Sequence, residues 1–399
     1  MKRSIIVGLV ALLSGTAACL GESSNPSDPA AELQSEPLIG GFDGSSSALD
    51  AVGAVSVVWV DPETGKGVPQ AICTGSLLDE DTVLTARHCL PTLRSVTERG
   101  AVPLFTRGPD AHAPDDWREV IAVEGAPGDV GGVLGQGHDV AVLHLVRPFS
   151  APRTVGVSKL GDTPVGTAFV AIGYGISDND QTEGTRLVGQ VHLNAVAGRT
   201  FEAQFDSFEA FYEAQAGGRA LPEACANTRA VAPNRDEPLP DPAVDPCGFA
   251  AVLRYVYDTE RLEDLGEVVV ARTAGDAETC HGDSGGPLIR ADDSGALIAF
   301  GVVSAGPNGK DQICDRGTVY ATFNDDVLNF LHEATQWTDP CVGLPAGGMC
   351  DGSLARRCTR MIEGPRRVVE LDCRTLGLGC SMDEKRGADC GSPSEETPQ

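Results

Sequence analysis

The chain has 399 residues and a formal net charge of −27, with 48 glycines, 26 prolines and only 5% aromatic residues. A chain of this length predicts about two or three domains with a sizeable core. The strong negative charge argues against a nucleic-acid partner, because phosphates would be repelled. The many turn-forming residues favour short strands over long helices.

Residues 1–19 have the pattern of an export signal. Lys2 and Arg3 precede a short apolar run, which ends in small residues before Cys19. The stretch from Thr16 to Cys19 is similar to a bacterial lipobox, in which the cysteine is lipidated after cleavage. We therefore expect an outer-membrane or cell-surface lipoprotein whose only membrane contact is a lipid on Cys19. The alternative is ordinary secretion to the extracellular space, with Cys19 lost or left free.

The next segments differ sharply in composition. Residues 20–37 are rich in Ser, Pro, Asn and Glu, which predicts a flexible leader or propeptide. Residues 38–337 contain apolar runs between turn signals, which favours an antiparallel barrel or sandwich. The predicted strands are Val52–Val60, Cys73–Leu78, Thr82–Thr85, Val140–Val146, Thr167–Ile172, Leu187–Ala195, Val268–Arg272, Leu297–Ser304 and Thr318–Phe323.

Two regions of this segment have helical patterns. An insertion at about 205–250 begins with aromatic residues at helical spacing and continues into a Pro/Asp-rich loop. Cys225 and Cys247 lie in that loop, so we expect a flap closed by its own disulfide. Residues 324–337 predict a helix that Asn324 caps.

The tail, residues 338–399, contains six cysteines between Cys341 and Cys390. So short a span builds little core, which predicts a small module held by three disulfides, with 15 possible pairings. The spacing lacks the paired clusters of zinc sites, and no metal is expected. Its basic residues indicate either a recognition module for anions or, alternatively, a solvated spacer surface; they are Arg356, Arg357, Arg360, Arg366 and Arg367.

One glycine-rich stretch, Gly282-Asp283-Ser284-Gly285-Gly286, contains a serine. Its many glycines are unfavourable in the interior of a helix or strand, which predicts a tight turn. By itself it could be a flexible turn, because a serine hydroxyl is a poor nucleophile without a base. His88 follows a predicted strand, and Asp139 precedes another. A base and an orienting carboxylate are therefore available elsewhere in the chain.

Together the segments Thr85-Ala86-Arg87-His88-Cys89, His138-Asp139-Val140-Ala141 and Gly282-Asp283-Ser284-Gly285-Gly286-Pro287 resemble the trypsin/chymotrypsin family of serine proteases. The resemblance covers about residues 38–335. It implies an all-β fold of two antiparallel six-stranded barrels with a C-terminal helix, followed here by the disulfide-rich module. It also implies a monomeric serine endopeptidase that acts on proteins or peptides through an acyl-enzyme, without a cofactor. The alternative is a catalytically inactive homologue that serves as a binding module.

The resemblance assigns roles to individual residues. Ser284 would attack the scissile carbonyl, His88 would carry its proton, and Asp139 would orient the imidazole. The backbone N–H groups of Gly282 and Ser284 would form the oxyanion hole. The family's disulfides would join Cys73 to Cys89 and Cys280 to Cys314.

The resemblance also implies activation by cleavage. Leu38-Ile39-Gly40-Gly41 is similar to the family's new N-terminus, whose amine pairs with the aspartate before the nucleophile, here Asp283. An activating protease would be the partner that makes the cut. Pro37 precedes the cut where the family usually has a basic residue, so a basic-specific activator is not expected.

The residues expected to form the substrate pocket match the family pattern less well than the catalytic motifs do. Glu278 would form its floor, Thr279 and Thr318 its walls, and the segment Ser304-Ala305-Gly306 the edge that pairs with substrate. An acidic floor favours Lys or Arg before the scissile bond. The alternatives are a shallow pocket for a smaller residue, or a Glu278 paired with Arg272 or Arg316.

Two further side chains flank the catalytic motifs. Arg87 either points inward, where it would lower the pKa of His88, or faces solvent. His281 is expected to contact substrate at the rim of the site.

Overall fold

The computed structural model of the protein describes residues 42–61, 63–64, 66–128, 138–176, 183–234, 238–306, 314, 316–345, 347–359, 366–383 and 387–391. The expected signal segment with Cys19, the leader and Leu38 lie outside these residues. Within them, no helix combines the length and the apolar character needed to cross a membrane.

The first half of the chain forms a closed barrel. A two-residue strand, β1 (Phe42–Asp43), precedes it, and helix α1 (Cys89–Glu98) lies between its third and fourth strands. The six barrel strands are antiparallel, in the order β2-β3-β4-β7-β6-β5. They are β2 (Val52–Val58), β3 (Gln70–Leu77), β4 (Thr82–Thr85), β5 (Val102–Arg107), β6 (Asp116–Gly125) and β7 (Ala141–Leu145).

The second half forms another closed barrel. Its strands are β8 (Gly156–Val157), β9 (Ala168–Gly173), β10 (Leu187–Ala195), β11 (Glu267–Val270), β12 (Pro287–Ala291), β13 (Leu297–Ala305) and β14 (Thr318–Thr322). The order β9-β10-β11-β14-β13-β12 returns to β9, while β1 adds to β10 and β8 to β13. The predicted fold of two antiparallel six-stranded barrels is therefore confirmed.

A helical insertion separates β10 from β11. It contains α2 (Phe208–Gln215), α3 (Pro246–Thr259) and α4 (Leu262–Leu265), so its helices continue past the expected end at residue 250. A cluster of buried aromatic rings, Phe201, Phe205, Phe208, Phe211, Tyr212, Phe249 and Tyr257, forms its core. Cys225 is bonded to Cys247.

The two barrels share one apolar core with the C-terminal helix, α5 (Asp325–Ala334). Leu84 and Val142 of the first barrel pack in the same buried cluster as Ile289 and Val302 of the second and Leu331 of α5. The side chain of Asn324 caps this helix by accepting a bond from the Val327 N–H at 2.9 Å. This packing fixes the seam between the barrels, where the candidate site lies.

A buried arginine anchors the chain between β1 and β2. Arg186 is fully buried, and its guanidinium donates to the carbonyls of Gly44, Ser46, Leu49 and Val52 and to the Asp50 carboxylate. A buried cation is costly unless its donors are satisfied. Here they hold the segment that follows the expected cleavage site against the second barrel.

The tail is organised by disulfides. It contains β15 (Met349–Asp351), β16 (Leu354–Cys358), β17 (Val368–Asp372), β18 (Gly379–Asp383) and β19 (Gly387–Gly391). The bonded pairs are Cys341–Cys358, Cys350–Cys380 and Cys373–Cys390. Three arginines pair with acids, Arg356 with Glu370, Arg357 with Asp389 and Arg366 with Asp339. This neutralisation favours a solvated surface over an anion-binding patch; Arg360 lies outside the described residues.

Candidate active site

His88 and Asp139 form a hydrogen-bonded pair at the edge of the first barrel. His88 lies in the turn between β4 and α1, and Asp139 lies two residues before the start of β7. The imidazole Nδ1 lies 2.7 Å from Asp139 Oδ2, and the His88 backbone N–H donates to Oδ1 at 2.8 Å. These two contacts orient the ring so that Nε2 is the nitrogen left for substrate chemistry.

The Asp139 carboxylate is almost completely buried, at 1% exposure. Besides His88, it accepts a bond from the Ser304 hydroxyl at 2.7 Å. The sequence interpretation assigned only backbone pairing to Ser304, so this role of its hydroxyl was missed. Burial alone would lower the pKa of His88, but the charge and hydrogen bond of Asp139 outweigh it, and the pKa of His88 is raised.

Ser284 lies in a turn of the second barrel that packs directly against the first. Its carbonyl accepts a bond from the Thr74 N–H of β3 at 2.8 Å. Gly285 has φ +82°, and a Cβ there would lie 2.7 Å from the Ala86 nitrogen. Only glycine permits this conformation and this close approach. The turn therefore brings Ser284 next to the segment that carries His88.

Thr74 connects the first barrel to the expected oxyanion loop. Its buried hydroxyl donates to the Gly282 carbonyl at 3.0 Å and accepts from the Tyr174 N–H at 3.1 Å. Gly282 has φ +96°, and a Cβ there would lie 2.8 Å from Gly175 Cα. A side chain at Gly282 is thus excluded by packing as well as by the approach of a substrate. The sequence interpretation read Thr74 only as a strand residue.

Asp283 is a buried acid directly before Ser284. Its carboxylate accepts bonds from the Gly175 N–H at 2.7 Å and the Cys280 N–H at 2.8 Å. No ion pair reaches it from the described part of the chain. Burial outweighs these two hydrogen bonds and raises the pKa of Asp283 to about 7. A cation supplied nearby would favour its ionised form.

The expected pocket residues lie on two segments joined by hydrogen bonds. The Gly317 N–H donates to Glu278 Oε2 at 3.0 Å, and the buried hydroxyls of Thr279 and Thr318 lie 2.7 Å apart. The Arg272 guanidinium lies 3.6 Å from Asp206 of the insertion. Ala305 is half-buried and Gly306 is exposed, at the end of β13.

The remaining residues singled out in the sequence have clear places. Cys73 is bonded to Cys89, and Cys280 to Cys314. The Arg87 guanidinium donates to the carbonyls of Ala126 and Gly128 in the loop after β6. It is therefore neither a charge partner of the His88 ring nor free in solvent. His281 is exposed beside Gly282. Among the described residues, both groups with metal-ligand spacing contain cysteines already bonded to each other.

Comparisons with known proteins identify the family to which this chain is similar. A family model described as trypsin matches residues 56–220 and 256–330, which is more than half of the chain. The gap between the matched parts lies in the helical insertion. A trypsin-like protease of Streptomyces glaucescens is 25% identical over 241 residues, which cover 59% of this chain and 65% of that relative. The match thus spans less than two thirds of the relative's length. The fold and these matches together show that the chain belongs to the trypsin family.

Proposed function

We propose that this protein is a serine endopeptidase that hydrolyses peptide bonds through an acyl-enzyme. The observation that supports it most is the meeting of three distant segments at the seam between the barrels. His88 and Asp139 are hydrogen-bonded at 2.7 Å, and the Ser284 turn packs against the residues just before His88. Membership of the trypsin family agrees with this chemistry.

In the proposed reaction, Ser284 Oγ attacks the scissile carbonyl while His88 Nε2 takes the hydroxyl proton. The Gly282 and Ser284 N–H groups stabilise the oxyanion of the tetrahedral intermediate. The C–N bond then breaks, and His88 gives the proton to the departing amine. Water, activated by the same imidazole, hydrolyses the acyl-enzyme. Asp139 stabilises the imidazolium and is itself held by Ser304.

A fluorophosphonate probe tests this proposal. We expect the active protein to be labelled at Ser284 and the Ser284→Ala variant to stay unlabelled. Ser294→Ala is the matched control, because Ser294 lies in an exposed turn and its hydroxyl donates to the nearby Asp292. Absence of labelling in folded, correctly cleaved protein would favour the inactive binding module.

The proposal includes activation by a cut before Leu38. The new amine would pair with Asp283, whose burial without an ion pair among the described residues calls for a cation. The anchoring of residues 44–52 by Arg186 supports this, since it brings the start of the described chain to the second barrel. N-terminal sequencing of active enzyme should begin at Leu38; any other start contradicts this step.

Export is also proposed, by a signal segment at residues 1–19 and a lipid on Cys19. Six disulfides join cysteines of the described chain, which is typical of folding in an oxidising compartment. Mass spectrometry of the mature N-terminus tests the lipid, and an unmodified start beyond residue 19 contradicts it.

Cleavage after Lys or Arg is the proposed preference, with Glu278 as the acid of the pocket. The hydroxyl contact between Thr279 and Thr318 joins the two proposed pocket walls. The competing proposal is therefore a shallow pocket that accepts a small substrate residue before the scissile bond. A peptide library cleaved only after small residues would overturn the basic preference. Thr318→Gly would then be expected to admit longer side chains.

A further inference from the structure

We propose that Arg87 is a positioning residue that keeps His88 and Asp139 in register; this rests on the proposed function. Arg87 directly precedes His88 in the turn after β4. Its Nη1 donates to the Gly128 carbonyl at 2.8 Å and to the Ala126 carbonyl at 3.2 Å. Both acceptors lie just beyond the end of β6, so Arg87 ties the His88 turn to that strand end.

The absence of a side chain at the end of β6 leaves room for the side chain of Arg87. A Cβ on Gly125, the last residue of β6, would lie 2.8 Å from Arg87 Nε and 3.1 Å from its Cδ. Any larger residue at 125 would therefore push the arginine away. The missing side chain lets Arg87 lie along the backbone and reach both carbonyls.

The segment that Arg87 holds is hydrogen-bonded to one neighbour of Asp139, Val140, and lies beside the other, His138. The Ala126 N–H donates to the Val140 carbonyl at 2.8 Å. A Cβ on Gly128 would lie 3.5 Å from Cγ of the His138 ring, and His138 has φ +47°, an uncommon conformation for a residue other than glycine. Arg87 is thus linked to Asp139 by a second route, through Ala126 and Val140, in addition to the route through its own neighbour, His88.

This link matters because the His88–Asp139 bond joins two segments that are 51 residues apart in sequence. A displacement of about 1 Å in such a pair can cost about a hundredfold in rate. Arg87 contributes through position rather than charge, since its donors are directed at carbonyl oxygens, and the pKa of His88 is raised by the charge and hydrogen bond of Asp139 against the effect of burial.

The test uses the full-length active enzyme with Arg87→Met, which keeps an unbranched, flexible stem and removes the guanidinium donors. We expect kcat to fall by about ten- to a hundredfold while KM stays within about twofold. The low-field NMR signal of the His88 Nδ1 proton should shift or broaden. Arg87→Lys, which can still donate to Gly128, should recover most of the loss in both measurements.

Arg99→Met is the matched control, because Arg99 also donates to a backbone carbonyl, that of Ser95 within α1, but away from the pair. A second variant, Gly125→Ala, should reproduce the Arg87→Met effects while leaving the arginine present. Unchanged kcat and Nδ1 signal in folded Arg87→Met overturn the inference. An inactive wild type would instead overturn the proposed function, and the Nδ1 signal of the variants would still test the positioning.

Discussion

The Thr74 hydroxyl of the first barrel donates to the Gly282 carbonyl of the second at 3.0 Å, directly behind the proposed oxyanion hole. The same oxygen accepts from the Tyr174 N–H, so one buried side chain holds two loops. Gly282 has φ +96°, and its N–H is one of the two proposed oxyanion donors. The position of this proposed donor therefore depends on a residue of the opposite barrel.

Replacing Thr74 by Val should test this dependence, because valine keeps the shape and removes both bonds. We expect kcat to fall by about tenfold, which is less than the roughly 10²–10³-fold cost of removing an oxyanion donor, because the Gly282 N–H is displaced and not lost. The Gly282 carbonyl and the Tyr174 N–H would lose their hydrogen-bond partner. Each loss should lower the free energy of unfolding by about 1–3 kcal/mol. Thr322→Val removes a comparable hydroxyl-to-carbonyl bond, to Gly266, away from the site. Equal kcat in the two variants would contradict the proposed link.

The uncleaved protein should lose stability as pH rises from about 4 to 7. The ordinary pKa of an aspartate is 3.8 and that of Asp283 is about 7, so in this window the folded state holds a proton that the unfolded state has released. Stability is highest below the unfolded pKa and falls until Asp283 ionises. Asp283→Asn should flatten this slope in thermal unfolding. In the cleaved form, pairing with the Leu38 amine should lower the pKa and remove the slope as well.

The acid side of the activity profile should depend on Asp139. His88 must be neutral to take a proton, and its pKa is raised above 6.5, so kcat/KM should increase with an inflection above that pH. Asp139→Asn should reduce kcat by on the order of 10⁴-fold. Ser304→Ala, which removes one donor to Asp139, should cost far less. An inflection below 6.5 in the wild type would contradict the assignment of His88 as base.

His112 should stabilise the seam between the barrels at low pH. Its two ring nitrogens lie 2.9 Å from the Pro69 carbonyl and 3.0 Å from the Glu183 carbonyl, and only the imidazolium can donate to both. The Pro69 bond, the Glu183 bond and the nearby Asp110 and Glu183 charges raise its pKa against partial burial. This contribution is complete below about pH 6.5 and is lost as pH rises through the folded pKa.

The measurement is the melting temperature of His112→Gln against wild type. We expect the variant to melt lower at pH 5.5 and the difference to shrink above pH 8. His332→Gln is the control, since His332 lies on α5 and its ring is hydrogen-bonded to Gln336 one turn further along the chain. A difference that does not depend on pH would contradict the proposed cationic bridge.

Local patterns predicted most of the strands, and the three motifs predicted which residues meet. Strand β5 was missed because Pro103 lies within it, and β12 because its start at Pro287 continues the glycine-rich run. Helix α1 was not predicted, because it begins at Cys89, directly after His88, and these two residues were interpreted as part of a catalytic motif. These elements depend on pairing and burial in the barrels, which no local pattern records.

The sequence by itself determined which residues are candidates for nucleophile, base and orienting carboxylate, because residue type and motif are local properties of the chain. Only the tertiary structure decided what holds them: Thr74 behind Gly282, Ser304 on Asp139, and Arg87 across the end of β6. Each of the hydrogen bonds in these contacts joins residues at least 39 positions apart. Such contacts follow from how two closed barrels pack, and a hydroxyl or guanidinium has many possible partners until that packing is known.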